Sequence, residues 1–269
     1  MKTIGLDELK ALQLDLLQAV DAFCEEKGIA YSMSCGTMLG AIRHKGYIPW
    51  DDDIDICMLR ADFNKLVSLF PKVLNGKYIF VSLERDSKWD RAYGKIYDSR
   101  THFYEPDRAK YKGYPLGINI DVFPIDNVPE EENRWLKYNK KRLFLQKVYA
   151  IKYIELTSRE WYKNIVLILL KGLLLPFSKR SLAELLDKWG QRYNEIDSSK
   201  VFECSQGLHL KHGFNKSIFF QRNKYPFEDR LFMGFTNYDE YLKNAYGEYM
   251  KLPPIEKQVS HHEFEAFWR

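Results

Sequence analysis

The chain has 269 residues, long enough for a sizeable core whether it folds as one large domain or as a domain with an appendage. Its 45% apolar and 29% charged content, without Gly/Ser-rich or Pro-rich tracts, excludes a disordered linker protein. A net charge of +4, from 41 basic and 37 acidic residues, permits an anionic partner but argues against a dedicated nucleic-acid binder.

In chain order, Leu9, Leu12, Leu16, Val20 and Phe23 recur at spacings of three and four, so residues 6–27 read as an amphipathic helix stopped by Gly28. The opening "MKTIGLDELKALQLDLLQAV" mixes acids into this pattern and does not read as a signal peptide. The alternation in "IAYSMSC" predicts a strand, Gly36-Thr37 a tight turn, and "MLGAIRHKG" a short helix ending near Gly46. An acidic strand over about 50–58 comes next, then a helix in "RADFNKLVSLF" closed by Pro71. Strands are expected in "KYIFVSLE", "YGKIYDS" and "GINIDVFPID". This order predicts an α+β (α/β-like) sheet domain over residues 1–128.

Residues 129–200 carry a mainly helical, Lys/Arg-rich pattern that includes "IVLILLKGLLLPF" at 165–177. Lys171 and Gly172 interrupt this block and Pro176 ends it, leaving it short of the roughly 20 apolar residues that span a bilayer. It is expected to be a buried core helix; the alternative is a helix lying in a membrane interface, flanked by Lys152, Arg159, Lys163, Lys179 and Arg180. Residues 201–269 form a C-terminal segment with a hairpin around "YPFEDRLFMGF" and a helix in "DEYLKNAYG". Cys24, Cys35, Cys57 and Cys204 form no C-x-x-C pair and are expected as buried reduced thiols of a cytoplasmic protein.

The chemistry concentrates in "IPWDDDIDI", residues 48–56. On a strand, Asp51, Asp53 and Asp55 would share one face while Asp52, Ile54 and Ile56 share the other. Two rises of about 3.3 Å place Asp53 and Asp55 roughly 6.6 Å apart, so their carboxylates could converge on one divalent ion or bridge a pair. Hard oxygen donors of this kind select Mg²⁺ or Mn²⁺ over zinc. Upstream, Gly36 permits close backbone approach before a helix whose free N–H groups suit an anion. Asp121, inside the apolar run "INIDVFPID", needs a metal or an Arg partner and is the candidate third ligand, whereas Asp126 reads as a turn or helix-approach residue. Lys95 either reaches a phosphate or snorkels to the surface.

The run "GTMLGAIRHKGYIPWDDDIDI" closely resembles the signature of the LicD family, shared with the fukutin-type transferases. The similarity continues through "YGKIYDSRT", "GINIDVFPID" and "YDEYLKNAYGEYMKLPPIEKQVSHH", and so covers most of the chain. It implies a nucleotidyltransferase-fold mixed sheet with flanking helices and a helical insertion. It also implies a phosphotransferase using a CDP-activated donor, such as CDP-choline or another CDP-alcohol, with a teichoic acid or lipopolysaccharide sugar as acceptor. By position, the family's metal-binding aspartates fall on Asp53, Asp55 and Asp121, and its phosphate-contacting turn on Gly36 and Thr37. A lipid-linked glycan precursor would place the enzyme at the inner membrane face.

Asp121 or Asp51 would take the acceptor's proton, and Lys95, Arg43 and His44 are candidates to stabilise charge on departing CMP; Arg43 and His44 could equally form an exposed basic helix end. His261 could close over the donor, while the adjacent pair His261-His262 would point apart on a strand and not share an ion. Cys204, His209 and His212 lack a nearby fourth ligand and read as structural. Trp50, Trp89, Tyr93, Tyr111 and Tyr114 lie near the motifs and could offer ring faces to choline, packing being the ordinary use of such rings. The competing functions are transfer of a nucleoside monophosphate from an NTP, and a non-catalytic choline or glycan-binding module. The latter would be expected to have lost a carboxylate, and all are present.

Overall fold

The computed structural model describes residues 2–104, 114–156, 160–205, 212–259 and 264–269. Helix α1 (Leu6–Lys27) buries Leu9, Leu16, Val20 and Phe23 on the face their spacing marks out. Gly28 ends it at φ +60°, its N–H donating to Glu25 O and that of Ile29 to Cys24 O, the paired bonds of a Schellman stop. Strand β1 (Ser32–Met33) is much shorter than the alternation over 29–35 suggests, because Cys35 already opens helix α2 (Cys35–Arg43). Gly36 and Thr37 therefore lie in the first turn of α2 and not in a turn before it. The acidic strand is also shorter than expected: β2 spans Asp55–Leu59, and Asp51–Asp53 precede it as irregular backbone.

Helix α3 (Arg60–Leu69) follows, then β3 (Tyr78–Val81), β4 (Gly94–Asp98), β5 (Thr101–Tyr104) and β6 (Asn119–Asn127). The main sheet runs β1-β2-β6-β4-β3, with β2 and β6 parallel and the other neighbours antiparallel. Strand β7 (Lys200–Glu203) pairs with the end of β6, and β8 (Phe214–Asn215) pairs with β7, giving a mixed seven-stranded sheet. The fold is α+β, as the sequence predicts. Ile56, Ile96, Ile120 and Val122 are wholly buried in the core shared with α1 and α3, where Phe23, Phe63, Phe70 and Phe80 meet edge to face.

Helices α4 (Glu132–Ile151), α5 (Trp161–Leu173) and α6 (Lys179–Gly190) fill the predicted helical stretch. Tyr138 of α4 stacks on Trp189 of α6 at 5.7 Å between centroids, and Trp135 meets Phe202 of β7. Helix α5 overturns the buried-core expectation, since Leu167 is its only buried residue. The hairpin β9 (Arg222–Phe227) and β10 (Arg230–Phe235) turns at Glu228-Asp229, as expected, and helix α7 (Tyr238–Tyr246) follows. Strand β11 (Glu265–Trp268) pairs with β5 and ties the C-terminal segment to the N-terminal one through Ile4 N–H and Ala266 O. Cys24, Cys57 and Cys204 are buried, and Cys204 Sγ lies 2.9 Å from Tyr138 Oη.

Asp126 is a strand residue, 1% exposed, and not the turn residue its place after Pro124 suggests. It accepts two parallel bonds of 2.7 Å from Arg60, which also donates to Asp187 at 2.9 Å, while Asn194 donates to Asp126 at 2.6 Å. This network clamps α3, β6 and α6 together. Asp126→Ala leaves the Arg60 guanidinium buried beside Asp187 alone, and urea unfolding should show a loss of about 3–5 kcal/mol. Replacing Arg60 by Met in the same chain should recover part of that loss.

Candidate active site

The ladder registers of β4, β6 and β2 set three charged residues in one row. Lys95 faces Asp121 across the antiparallel β4–β6 pair, and Asp121 faces Asp55 across the parallel β6–β2 pair. Directly opposed residues project to the same side of a sheet, so all three side chains share one face. Lys95 Nζ is ion-paired with Asp121 Oδ1 and donates to Asn119 Oδ1 at 2.8 Å. Asn119 stands two residues before Asp121 on β6, and so on the same face. The partner that Asp121 required is thus a lysine, and Lys95, 7% exposed, does not snorkel.

The backbone entering this row is held from several elements. Asp55 N–H donates to Thr37 Oγ1 at 2.8 Å, and Ser34 N–H donates to Asp55 O at 3.0 Å. Cys35 adopts φ +49°, unusual for a side-chain-bearing residue, and its N–H donates to Tyr241 Oη on α7 at 3.0 Å. A Cβ on Gly36 would lie 2.7 Å from Asp51 Oδ2, so the glycine lets that carboxylate sit against the first turn of α2. Asp52 N–H donates to Asp51 Oδ1 at 3.3 Å, and Gln13 Nε2 donates to the carbonyls of Asp52 and Asn119, tying the acidic segment to β6 through α1. Tyr47 Oη in turn donates to Gln13 Oε1 at 3.0 Å.

Charge is concentrated here. Burial, followed by the charges of Asp53 and Asp121, holds the Asp55 carboxyl well above the ordinary carboxylate range, against the opposing pull of Lys95. Burial works against the Lys95 ammonium, but Asp121 and Tyr93 together outweigh it and the net shift is upward. Burial also raises the Tyr246 phenol, which sits in the field of Cys35, Asp55, Asp51 and Asp53. Arg91 donates to Tyr93 Oη at 2.8 Å and lies within the field of Asp121.

Asp51 and Asp53 flank the row from irregular backbone, so strand alternation does not set their directions. Among the described residues, no three His, Cys, Asp or Glu side chains stand together in metal-holding geometry. The structure therefore brings Asp55 and Asp121 side by side and leaves Asp53 as a neighbour of the pair. Arg43 is not a helix-end cation satisfying its own carbonyls: it donates to Tyr249 O at 2.7 Å and to His44 Nε2 at 2.8 Å. Burial and then Arg43 lower the His44 pKa, favouring the neutral ring that accepts this bond and meets Trp50 edge to face. Trp89 is fully buried, its indole N–H donating to Tyr93 O at 2.7 Å, and Tyr114 packs against it. His261, His262, His209 and Tyr111 lie outside the described residues.

Arg91, Asn119, Tyr241 and Tyr246 are neighbours of the site that the motif reading missed. Period two along β6 could have found Asn119. The others come from loops or from α7, and nothing local in the sequence marks them.

Residues 28–158, a span that takes in α2, the acidic segment, Lys95 and Asp121, match the LicD/FKTN/FKRP nucleotidyltransferase domain. Over 273 aligned positions the chain is 32% identical to the lipopolysaccharide cholinephosphotransferase LicD of Haemophilus influenzae, covering 99% of both proteins. The chain belongs to the LicD family. Two uncharacterised rickettsial proteins are also similar. The one from Rickettsia typhi is 30% identical over 51% of each chain, and the one from Rickettsia prowazekii 28% identical over 51% of this chain and 60% of its own. In this LicD family chain the C-terminal segment reaches the site through Tyr241, and α2 is bonded to α7 as well as to the sheet.

Thr37→Val removes the acceptor of the buried Asp55 N–H and should lower stability by about 1–3 kcal/mol. Amide exchange at Asp55 should accelerate in that variant and stay protected in Thr37→Ser.

Proposed function

We propose that this LicD family chain transfers phosphocholine from CDP-choline to a sugar hydroxyl of a cell-surface glycan precursor, of the lipopolysaccharide or teichoic acid kind, releasing CMP. The chain is a phosphotransferase, as family membership and the full-length relation to a cholinephosphotransferase establish. The observation that carries the reading of the site is the row Lys95–Asp121–Asp55, set in register beside the first turn of α2.

In the proposed reaction the acceptor oxygen bonds to the phosphorus bearing choline, the bond from that phosphorus to the CMP oxygen breaks, and the hydroxyl proton passes to a carboxylate. Such transfers depend chiefly on positioning and charge neutralisation. Asp51, packed on Gly36, and Asp121, at the centre of the row, are the two groups proposed to receive that proton. Lys95 and Arg91 bring positive charge next to Asp121, which suits a diphosphate.

The donor set fits Mg²⁺ or Mn²⁺: hard oxygens from Asp55 and Asp121, with Asp53 close by, and an Asp55 carboxyl whose pKa burial and like charges raise. Such an ion would supply charge stabilisation of the transferring phosphoryl group when bound. Asp55, Asp121 and Asp53 are the residues proposed to hold it.

Incubation with CDP-choline, Mg²⁺ and an amino-sugar-containing acceptor should release CMP, and EDTA should stop it. Asp53→Asn and Asp55→Asn should each reduce turnover about 100-fold or more while circular dichroism and melting stay near wild type. Pyrophosphate from an NTP with CDP-alcohols inert would assign nucleotidyl transfer instead. Full activity in the Asn variants would remove the aspartates from the site.

A further inference from the structure

We propose that helix α5 is a docking element for an anionic lipid surface. Its orientation is the reverse of an ordinary surface helix, which turns apolar residues to the core and polar ones to water. Leu167 is buried and Asn164 and Lys171 are half-buried, so the stripe at i, i+3 and i+7 that faces the protein is largely polar. The outward side is apolar: Trp161 is 74% exposed, Ile165 47%, Leu169 63% and Leu173 75%. Leu175 and Phe177 extend the same exposed run past the end of the helix.

No helix among the described residues is long and apolar enough to cross a membrane. The 13 residues of α5 span about 20 Å at 1.5 Å each, a length suited to lying in the headgroup layer. The charges around the face identify the occupant. From Glu160 to Arg180 the chain carries four basic residues, Lys163, Lys171, Lys179 and Arg180, against one acid; Lys163 is ion-paired with Glu160 and Arg180 with Glu184, which puts the excess positive charge on Lys171 and Lys179. Lys152 joins them at the far end of the helix, its ammonium donating to Leu174 O, and Lys179 feels the charges of both Lys171 and Lys152. A second copy packed face to face would set these cations against their own kind, because a two-fold interface pairs identical patches. An anionic bilayer accepts both features, the apolar face entering below the phosphates and the basic charge around the end of the helix drawing it to them. The contact itself is independent of the reaction; its use, holding the site beside a lipid-linked acceptor, rests on the proposed transfer.

The test is sedimentation of the full chain with phosphatidylcholine vesicles, with and without phosphatidylglycerol. The wild type should bind the mixed vesicles at least about tenfold better than pure phosphatidylcholine, and salt should weaken the binding. The exposed double variant Leu169→Glu with Leu173→Glu should lose at least about tenfold in binding. CMP release with a water-soluble acceptor should be equal in wild type and double variant, so an inactive wild type would count against the reaction and leave the membrane contact standing. Absence of binding to either vesicle, or equal binding by the double variant, would overturn the proposal. So would a dimer in solution that the double variant dissolves in the absence of any vesicle binding.

Discussion

The parallel pairing of β2 with β6 is the constraint on which the rest of the site depends. It fixes Asp55 beside Asp121 as a matter of backbone register, before any side chain chooses a rotamer. Two adjacent carboxylates in a poorly solvated place repel, and the surroundings answer that repulsion in specific ways. Lys95 is brought opposite Asp121 by the next ladder, and burial with the charges of Asp53 and Asp121 holds the Asp55 carboxyl above the usual carboxylate range. The hydrogen bond from Asp55 to Thr37 and the seat of Asp51 on Gly36 then lock α2 to the same spot. Shifting β2 by one residue would move Asp55 to the other face and bring Ile54 or Ile56 into its place.

What the sequence disclosed depended on whether the deciding contacts were local. Helix α1 was legible because its apolar spacing and the stop at Gly28 act within one element. The start of β2 was not, because Asp51–Asp53 are held by Gln13, by Gly36 and by one another, contacts that strand propensity does not contain. The need of Asp121 for a partner could be inferred from its apolar setting, but its identity as Lys95 follows from a ladder register that only the fold provides. Asp126 was misjudged for the same reason. Its position after Pro124 suggests a turn, yet Arg60, sixty-six residues away in sequence, makes it part of the core.

Hydropathy misplaced α5 for a different reason. A run such as "IVLILLKGLLLPF" records that the segment avoids water, and the burial expected of it assumed that the protein itself supplies the cover. Here α4 and α6 pack closely through Tyr138 and Trp189, while α5 buries Leu167 and half-buries Asn164 and Lys171. The same chain thus presents a tightly braced charged row in its sheet and an outward-facing apolar helix beyond it. For a transferase working on a glycan carried by lipid, as proposed, that division would separate the chemistry from the means of reaching the acceptor.

The central claim is that the Asp55–Asp121 pair is where a divalent cation meets the donor diphosphate. It is tested most directly by titrating Mn²⁺ into the protein in the presence of CDP-choline and following free Mn²⁺ by electron paramagnetic resonance. The wild type should bind Mn²⁺ stoichiometrically, and Asp55→Asn at least about tenfold more weakly. Equal Mn²⁺ affinity in the two proteins would contradict it.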